Sequence, residues 1–234
     1  MRSLQISVGI DAKNQPILVD MEKTGSMIIY GTNATGRTTF CKNIIWSLHE
    51  LDSNSVEFIV CGEESEYSDL KKKVCSGHLR IIPELHDLIP VLESEVLERY
   101  KRQDEYMKSN PGRHNNHWDS DAGKNLFILI DPIKMMDPEM TGRLNEVSTV
   151  IGHTGPSIGL HLIVVTHSCE LISNQMRRSS LVRVMFRMVR PTEGVVFDYH
   201  ESAQKVELEQ FQFLIAQKTA QPVLGKLEPK VLPW

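Results

Sequence analysis

Short apolar runs that alternate with helix-patterned segments place the strongest constraint on how this chain can fold. The runs are rich in β-branched or aromatic residues and are bounded by polar residues or glycine, which is typical of buried strands in a parallel sheet. They cover residues 27–30, 56–60, 126–130 and 160–165. A fifth run, residues 181–189, carries arginine at two odd-numbered positions, so we expect it nearer the edge of the sheet. The pattern predicts five strands.

Between these runs the apolar residues recur at helical spacing. Residues 39–48 and 84–107 show this period, and Pro90 is expected to break or kink the second segment near its start. Strands that alternate with helices predict right-handed β-α-β crossovers and an α/β fold, a doubly wound sandwich of three layers.

Composition narrows the class of protein. The chain has 234 residues, a formal net charge of −4 and 41% hydrophobic residues, which fits a globular chain with a real core. The acidic balance argues against a general nucleic-acid backbone binder. No apolar run approaches the roughly 20 residues of a membrane-spanning helix, and no signal peptide is recognisable. The four cysteines form no C-x-x-C pair, which favours free thiols in a reducing compartment.

A glycine-rich loop between the first of these runs and the following helical segment carries the clearest chemistry. It matches the phosphate-loop pattern G-x-x-x-x-G-K-[ST] except that arginine replaces lysine. Its main-chain N–H groups and the helix N-terminus are expected to bind the phosphates of ATP, and the Thr38 hydroxyl to bind Mg²⁺. Arginine keeps the positive charge but is forked and planar, so we expect binding to survive better than catalysis. The candidate nucleotide-binding residues are Gly31, Thr32, Asn33, Ala34, Thr35, Gly36, Arg37, Thr38 and Thr39.

Two further strand ends contribute candidate catalytic residues. Asp131 ends the apolar run 126–130, where a carboxylate beside the loop would help to hold Mg²⁺. An acid that activates water is expected next, but Pro132 stands there and has no such group. His167 follows the run 160–165 and could sense the γ-phosphate, or equally satisfy nearby backbone. Asp137 and Glu139 are explained by helix capping.

Several motifs occur in order along residues 5–190: VGID at 8–11, QPILVD at 15–20, the loop at 31–39, ERY at 98–100, the strand at 127–131, GLHLIVVTH at 159–167 and VRVMFR at 182–187. Together they resemble the FtsK/SpoIIIE family of motor ATPases, most of all the tandem modules of the type VII secretion coupling ATPases EssC and EccC. The resemblance implies a RecA-like P-loop NTPase fold, with a mostly parallel sheet in a three-layer α/β/α sandwich over residues 1–204. Residues 205–234 would be a C-terminal strand or linker segment of the same module.

The departures from the family pattern predict a degenerate module. Arg37, Pro132 and His167 all replace expected catalytic residues. The resemblance implies ATP and Mg²⁺ as ligands, and sibling modules, secreted helical-hairpin proteins and membrane secretion components as partners. It also implies a possible hexameric ring and a place at the cytoplasmic face of the cell membrane, with this chain as one module of a longer protein. An active ATPase motor that moves protein, or less readily DNA, is the alternative.

Three rival sites are weaker. Residues 155–159 match G-x-S-x-G, but a strand follows the serine where the nucleophile elbow needs one before it. His114 and His117 form an isolated H-x-x-H pair without cysteines or further metal ligands, which fits a solvated loop. Arg177 and Arg178 could act in trans on a neighbouring subunit, although an exposed helix end explains them more simply.

Overall fold

The computed structural model describes residues 4–74, 77–111, 118, 121–133, 136–188, 196–197, 207–218 and 220–227. The described strands form one ten-stranded sheet in the order β2-β1-β10-β9-β8-β3-β7-β6-β4-β5. The strands are β1 (Gln5–Asp11), β2 (Pro16–Asp20), β3 (Ser26–Tyr30), β4 (Val56–Gly62), β5 (Leu79–Ile82), β6 (Asn125–Asp131), β7 (Leu160–Thr166), β8 (Val182–Met185), β9 (Gln212–Gln217) and β10 (Val223–Lys226). The helices are α1 (Arg37–Asp52), α2 (Glu64–Lys73), α3 (Leu85–Ser109), α4 (Pro138–Thr154) and α5 (Asn174–Ser179).

The strands from β8 to β5 are parallel, whereas β9, β10, β1 and β2 extend the sheet by antiparallel pairing. Helices cover both faces of the parallel part. In β3, Ile28 and Tyr30 point to one core, which α3, α4 and α5 cover, and Met27 and Ile29 point to the other, which α1 and α2 cover. The predicted three-layer α/β/α architecture is therefore confirmed.

Three details of the prediction were wrong. The described sheet has ten strands rather than five. The strand predicted at 181–189 ends at Met185 and lies inside the sheet, between β3 and β9. Arg183 is accommodated inside the sheet because its Nη1 donates a hydrogen bond to the carbonyl oxygen of Val196, 3.2 Å away. An arginine in this strand therefore does not indicate a position at the sheet edge.

Pro90 does not break its helix. α3 runs from Leu85 to Ser109 with Pro90 in its second turn, where the missing N–H removes a single hydrogen bond. Within the described ranges, no helix combines the length and the apolar character that crossing a membrane requires. Residues 112–117 and 228–234, which hold most of the polar loop and of the expected linker, lie outside the described residues.

Candidate functional site

The glycine-rich loop joins the buried strand β3 to α1 in a conformation that depends on small residues. Ala34 has φ 59° and Gly36 has φ 109°, both in the left-handed region that favours glycine. A Cβ atom at Gly36 would lie 2.8 Å from Cδ1 of Phe211, so the close approach of that ring also requires glycine here. The chain therefore turns sharply between β3 and α1.

Hydrogen bonds to the two neighbouring strands hold the start of the loop. The Gly31 N–H donates to the carbonyl oxygen of Thr166, which ends β7, at 3.1 Å. On the other side, the N–H and hydroxyl of Thr32 both donate to the carbonyl oxygen of Arg187, at 3.0 and 3.1 Å. The Thr35 hydroxyl donates to the Thr32 carbonyl oxygen at 2.7 Å and closes the turn.

The segment before β9 holds the other side of the loop. The Phe211 N–H donates to the Thr35 carbonyl oxygen at 3.1 Å, and Gln210 Nε2 donates to the Ala34 carbonyl oxygen at 3.3 Å. The carbonyl oxygens of Thr32, Ala34 and Thr35 are thus bonded to other groups of the protein.

The N–H groups of the loop form a surface of unpaired donors. The main-chain N–H groups of residues 33–39 donate to no acceptor in the described part of the chain. They lie at the N-terminus of α1, where the helix dipole adds partial positive charge. This arrangement fits a polyphosphate.

Arg37 adds a charge to this surface. Its side chain is only 8% exposed and folds back along the loop, so that Nη2 donates to Asn33 Oδ1 at 3.1 Å. Its Nη1 atom is buried and has no hydrogen-bond partner among the described residues. A buried guanidinium nitrogen without an acceptor is costly unless an anion binds there.

Asp131 lies two strands away from β3, at the end of β6. Its carboxylate is buried, and Oδ2 accepts hydrogen bonds from the Thr38 hydroxyl at 3.1 Å and from the Tyr67 hydroxyl. Burial raises the pKa of Tyr67 well above its usual range, so this phenol stays a donor. Thr38 and Asp131, the two residues predicted to hold Mg²⁺, are therefore in direct contact, and a carboxylate with a hydroxyl is a donor set that suits Mg²⁺.

A cleft of about 510 Å³ lies over the loop. Its lining includes most of the loop, namely Asn33, Ala34, Gly36, Arg37, Thr38 and Thr39. The other lining residues are Glu66, Asp131, Pro132, Gln210 and Phe211. Gly31, Thr32 and Thr35 shape the loop from behind, and His167 is exposed at the sheet edge, outside the residues that line the cleft.

Three lining residues were not predicted from the sequence: Glu66, Gln210 and Phe211. Glu66 lies on α2, which follows β4, and its side chain is on the rim of the cleft. Partial burial, and then the negative charges of Asp131 and Glu63, raise the pKa of Glu66. No local motif marks α2, because only Tyr67 and Leu70 of its ten residues are buried.

The rival sites find no support in the described residues. Ser157 lies in a short 3-10 helix before β7, and its hydroxyl donates to the Thr154 carbonyl oxygen. The Asp137 carboxylate caps α4 by accepting from the Met140 N–H. Arg178 is exposed in the last turn of α5. No group of three or more potential metal ligands occurs among the described residues, and His114 and His117 lie outside them.

Comparison with known proteins gives sequence and structural relatives. No family model matches the chain. Two DNA translocases FtsK, from two strains of Helicobacter pylori, are 25% identical over 218 residues, which is 87% of this chain. The chain spans 25% of the length of these curated relatives.

Solved structures share the fold at low identity. The cytoplasmic domain of the type VII secretion ATPase EccC of Thermomonospora curvata superposes with a TM-score of 0.75 at 17% identity, covering 96% of this chain and 28% of that one. The pCW3 conjugation coupling protein TcpA, solved with ATPγS, gives 0.73 at 17% identity, covering 96% and 66%. ATPases 2 and 3 of EssC from Geobacillus thermodenitrificans give 0.73 at 12% identity, covering 96% and 44%. The chain therefore shares its fold with these ATPase domains and is similar in sequence to the FtsK translocases.

Proposed function

We propose that this chain is a nucleotide-binding module of a type VII secretion coupling ATPase. It binds ATP with Mg²⁺ at residues 31–39, with little or no turnover, and its occupancy serves substrate recognition or the regulation of protein export. The architecture shared with EccC and EssC domains supports this assignment.

One observation carries the nucleotide-binding part of the proposal. The N–H groups of residues 33–39 and the unpartnered Nη1 of Arg37 supply partly positive and positive donors with no protein acceptor among the described residues. Phosphate oxygens are the ligands that such donors favour. The Thr38 hydroxyl and the Asp131 carboxylate, which touch each other beside this surface, would hold Mg²⁺.

Three features argue for weak turnover. The Arg37 guanidinium lies along the loop against Asn33, and its fork cannot take the compact position of a lysine ammonium beside a transferred phosphate. Pro132 follows Asp131 on the floor of the cleft and offers no proton acceptor. The Asp131 oxygen that receives Thr38 is also bonded by Tyr67, so a metal ion must compete with two protein donors.

The remaining parts of the proposal concern the assembly. The module would act with sibling modules of a longer chain, possible ring partners in a hexamer, secreted helical-hairpin proteins and membrane secretion components, at the cytoplasmic face of the membrane. Residues 1–204 would form the P-loop domain and 205–234 its C-terminal segment. The multi-domain EssC and EccC structures, one of them in complex with a signal sequence peptide, support such partners.

Calorimetric titration with Mg-ATP, combined with a phosphate-release assay on the same sample, tests the proposal. We expect micromolar to sub-millimolar binding, negligible phosphate release, and at least tenfold weaker binding by Arg37→Ala, because a charge-assisted hydrogen bond is lost. Arg102→Ala, which removes an exposed arginine on α3, is the matched control and should bind as the wild type does. Absence of any binding by the wild type would refute the proposal.

The second candidate is a working ATPase, and Glu66 is the observation that favours it. A carboxylate with a raised pKa on the rim of the same cleft is suited to accept a proton from water, in place of the missing acid at position 132. Phosphate release that Glu66→Gln abolishes while leaving ATP affinity intact would establish this function. Glu64→Gln, on the same helix in an exposed ion pair with Lys71, is the control.

A working ATPase could also move DNA, since the FtsK relatives are DNA translocases. The net charge of −4 counts against it, since DNA binding needs an excess of basic residues. Stimulation of phosphate release by duplex DNA would favour it over protein export.

A further inference from the structure

An exposed aromatic side chain lines the cleft beside the phosphate loop. Phe211 is 38% exposed, and it is the one aromatic side chain among the described residues of the lining. Its φ of 65° lies in the left-handed region, which bulky residues rarely adopt. Such an outlier persists where the surroundings enforce it, and it often marks a functional position.

The surroundings of Phe211 enforce its conformation through the loop itself. Its N–H donates to the Thr35 carbonyl oxygen, and its own carbonyl oxygen accepts from the Leu227 N–H at 2.9 Å. The adjacent Gln210 side chain bonds the Ala34 carbonyl oxygen. The ring is thereby fixed relative to residues 33–39, with one edge against Gly36.

The sheet order separates the two ends of the cleft. Asp131 ends β6, two strands from β3 on one side, and Phe211 precedes β9, two strands from β3 on the other. Glu66, Asp131 and Pro132 also line a second, smaller cavity toward β4 that includes neither Gln210 nor Phe211. The metal-binding and aromatic ends therefore flank the phosphate loop from opposite directions.

A polyphosphate on the loop with its metal toward Asp131 places any attached nucleoside toward the other end. Arg37 lines this cleft and its buried Nη1 has no partner among the described residues, which independently points to an anionic ligand there. An exposed ring at a fixed position offers a flat apolar face, and every nucleobase has a matching π-face.

We propose that Phe211 stacks on the base of the bound nucleotide, so that this cleft selects nucleoside polyphosphates over polyphosphates without a base. The inference rests on the proposed function and adds a specificity residue that comes from the C-terminal segment rather than from the phosphate loop.

Titrations with Mg-ATP and with magnesium tripolyphosphate, which carries the phosphates without a nucleoside, test this role by calorimetry. Wild type is compared with Phe211→Ala, Phe211→Tyr and Leu224→Ala. Leu224 is also 38% exposed but lies on β10 outside the cleft lining, so it serves as the matched control. We expect Phe211→Ala to weaken ATP binding about 10-fold to 100-fold, which is typical of one lost base–aromatic stack, and to leave tripolyphosphate binding unchanged. Phe211→Tyr and Leu224→Ala should bind ATP as the wild type does.

The outcomes separate this inference from the proposed function. If Phe211→Ala weakened the binding of ATP and of tripolyphosphate equally, the ring would only position the loop. If the affinity for ATP were unchanged, the ring would contact no base. Either result overturns the inference but leaves the proposal of nucleotide binding intact. Wild-type protein that binds neither ligand overturns both. A Phe211→Trp variant gives a second readout, because bound ATP should quench the added indole fluorescence while tripolyphosphate should not.

Discussion

The buried histidine His161 makes the stability of this fold depend on pH. Its ring stacks on Phe127, with centroids 4.5 Å apart and planes at 15°. Nδ1 lies 2.7 Å from the Thr24 carbonyl oxygen, which can only accept, so Nδ1 carries the proton. Nε2 lies 3.1 Å from Asn125 Oδ1, and exchanging the oxygen and nitrogen of this amide, which leaves its shape unchanged, puts its NH₂ group there as the donor to the neutral ring. Burial lowers the pKa of His161 to about 4 from its usual 6.5.

The sign and size of the effect follow from these two pKa values. Above pH 6.5 the ring is neutral in both states, whereas between pH 6.5 and about 4 the unfolded chain binds a proton that the folded chain does not. The free energy of unfolding therefore falls as the pH falls through this window and is constant below it. At about 1.36 kcal/mol per pKa unit, the loss between pH 7 and pH 5 is about 2 kcal/mol.

Urea unfolding at pH 7, 6 and 5 measures this loss. His49 also has a pKa lowered by burial and contributes to the wild-type slope, so the informative quantity is the difference between wild type and His161→Gln. The wild type should lose about 2 kcal/mol more than this variant between pH 7 and 5. His86→Gln, which removes an exposed histidine, should keep the wild-type slope. If His161→Gln showed the same pH dependence as the wild type, the buried neutral ring would not be the cause.

Two further predictions concern the loop and the opposite sheet edge. Gly36→Ala forces a Cβ atom to 2.8 Å from Phe211 at φ 109°. Thermal melts should therefore show that the free energy of unfolding falls by about 1–3 kcal/mol, and ATP binding should be weaker. Gly142→Ala, which has open space around it in α4, is the control and should be neutral or stabilising. Arg99→Lys removes the Nη1 donor that binds three carbonyl oxygens just before β6 and β7. Urea unfolding should show that the free energy of unfolding falls by about 2–4 kcal/mol. Arg102→Lys, at an exposed position of the same helix, should change it by no more than about 0.5 kcal/mol. A wild-type midpoint for Gly36→Ala or Arg99→Lys would contradict the packing or hydrogen bonding described.

The central strands could be predicted because parallel strands with two covered faces are continuously apolar. The runs at 27–30, 56–60, 126–130 and 160–165 lie within β3, β4, β6 and β7. The weaker elements gave little signal: β5 has four residues, and α2 is largely charged. Nothing local in the sequence indicates that the hairpins at the two ends of the chain pair through β1 and β10 to extend the sheet.

The same distinction applies to the site. The loop and Asp131 each follow an apolar strand, and the carboxyl ends of parallel strands meet at one sheet edge, so their proximity could be expected from the sequence. Glu66 and Phe211 reach the cleft through a weakly patterned helix and through a turn 175 residues beyond Gly36 in the chain (211 minus 36). Only tertiary structure brings them there, and a single aromatic in an irregular segment has no pattern to mark it.

Binding and hydrolysis draw on different atoms of this cleft, so one can be lost without the other. The N–H groups of residues 33–39, which we propose to bind phosphate, belong to the main chain, and the loop is held by hydrogen bonds to Thr166, Arg187 and Phe211 that do not involve the side chain at position 37. Hydrolysis instead needs side chains: a compact cation near the transferred phosphate and a carboxylate that activates water. Two of the three departures from the family pattern, Arg37 and Pro132, fall on that second set. Because the hydrogen bonds that hold the loop do not involve Arg37, a loss of hydrolysis through this position would leave the arrangement of the main-chain N–H groups intact.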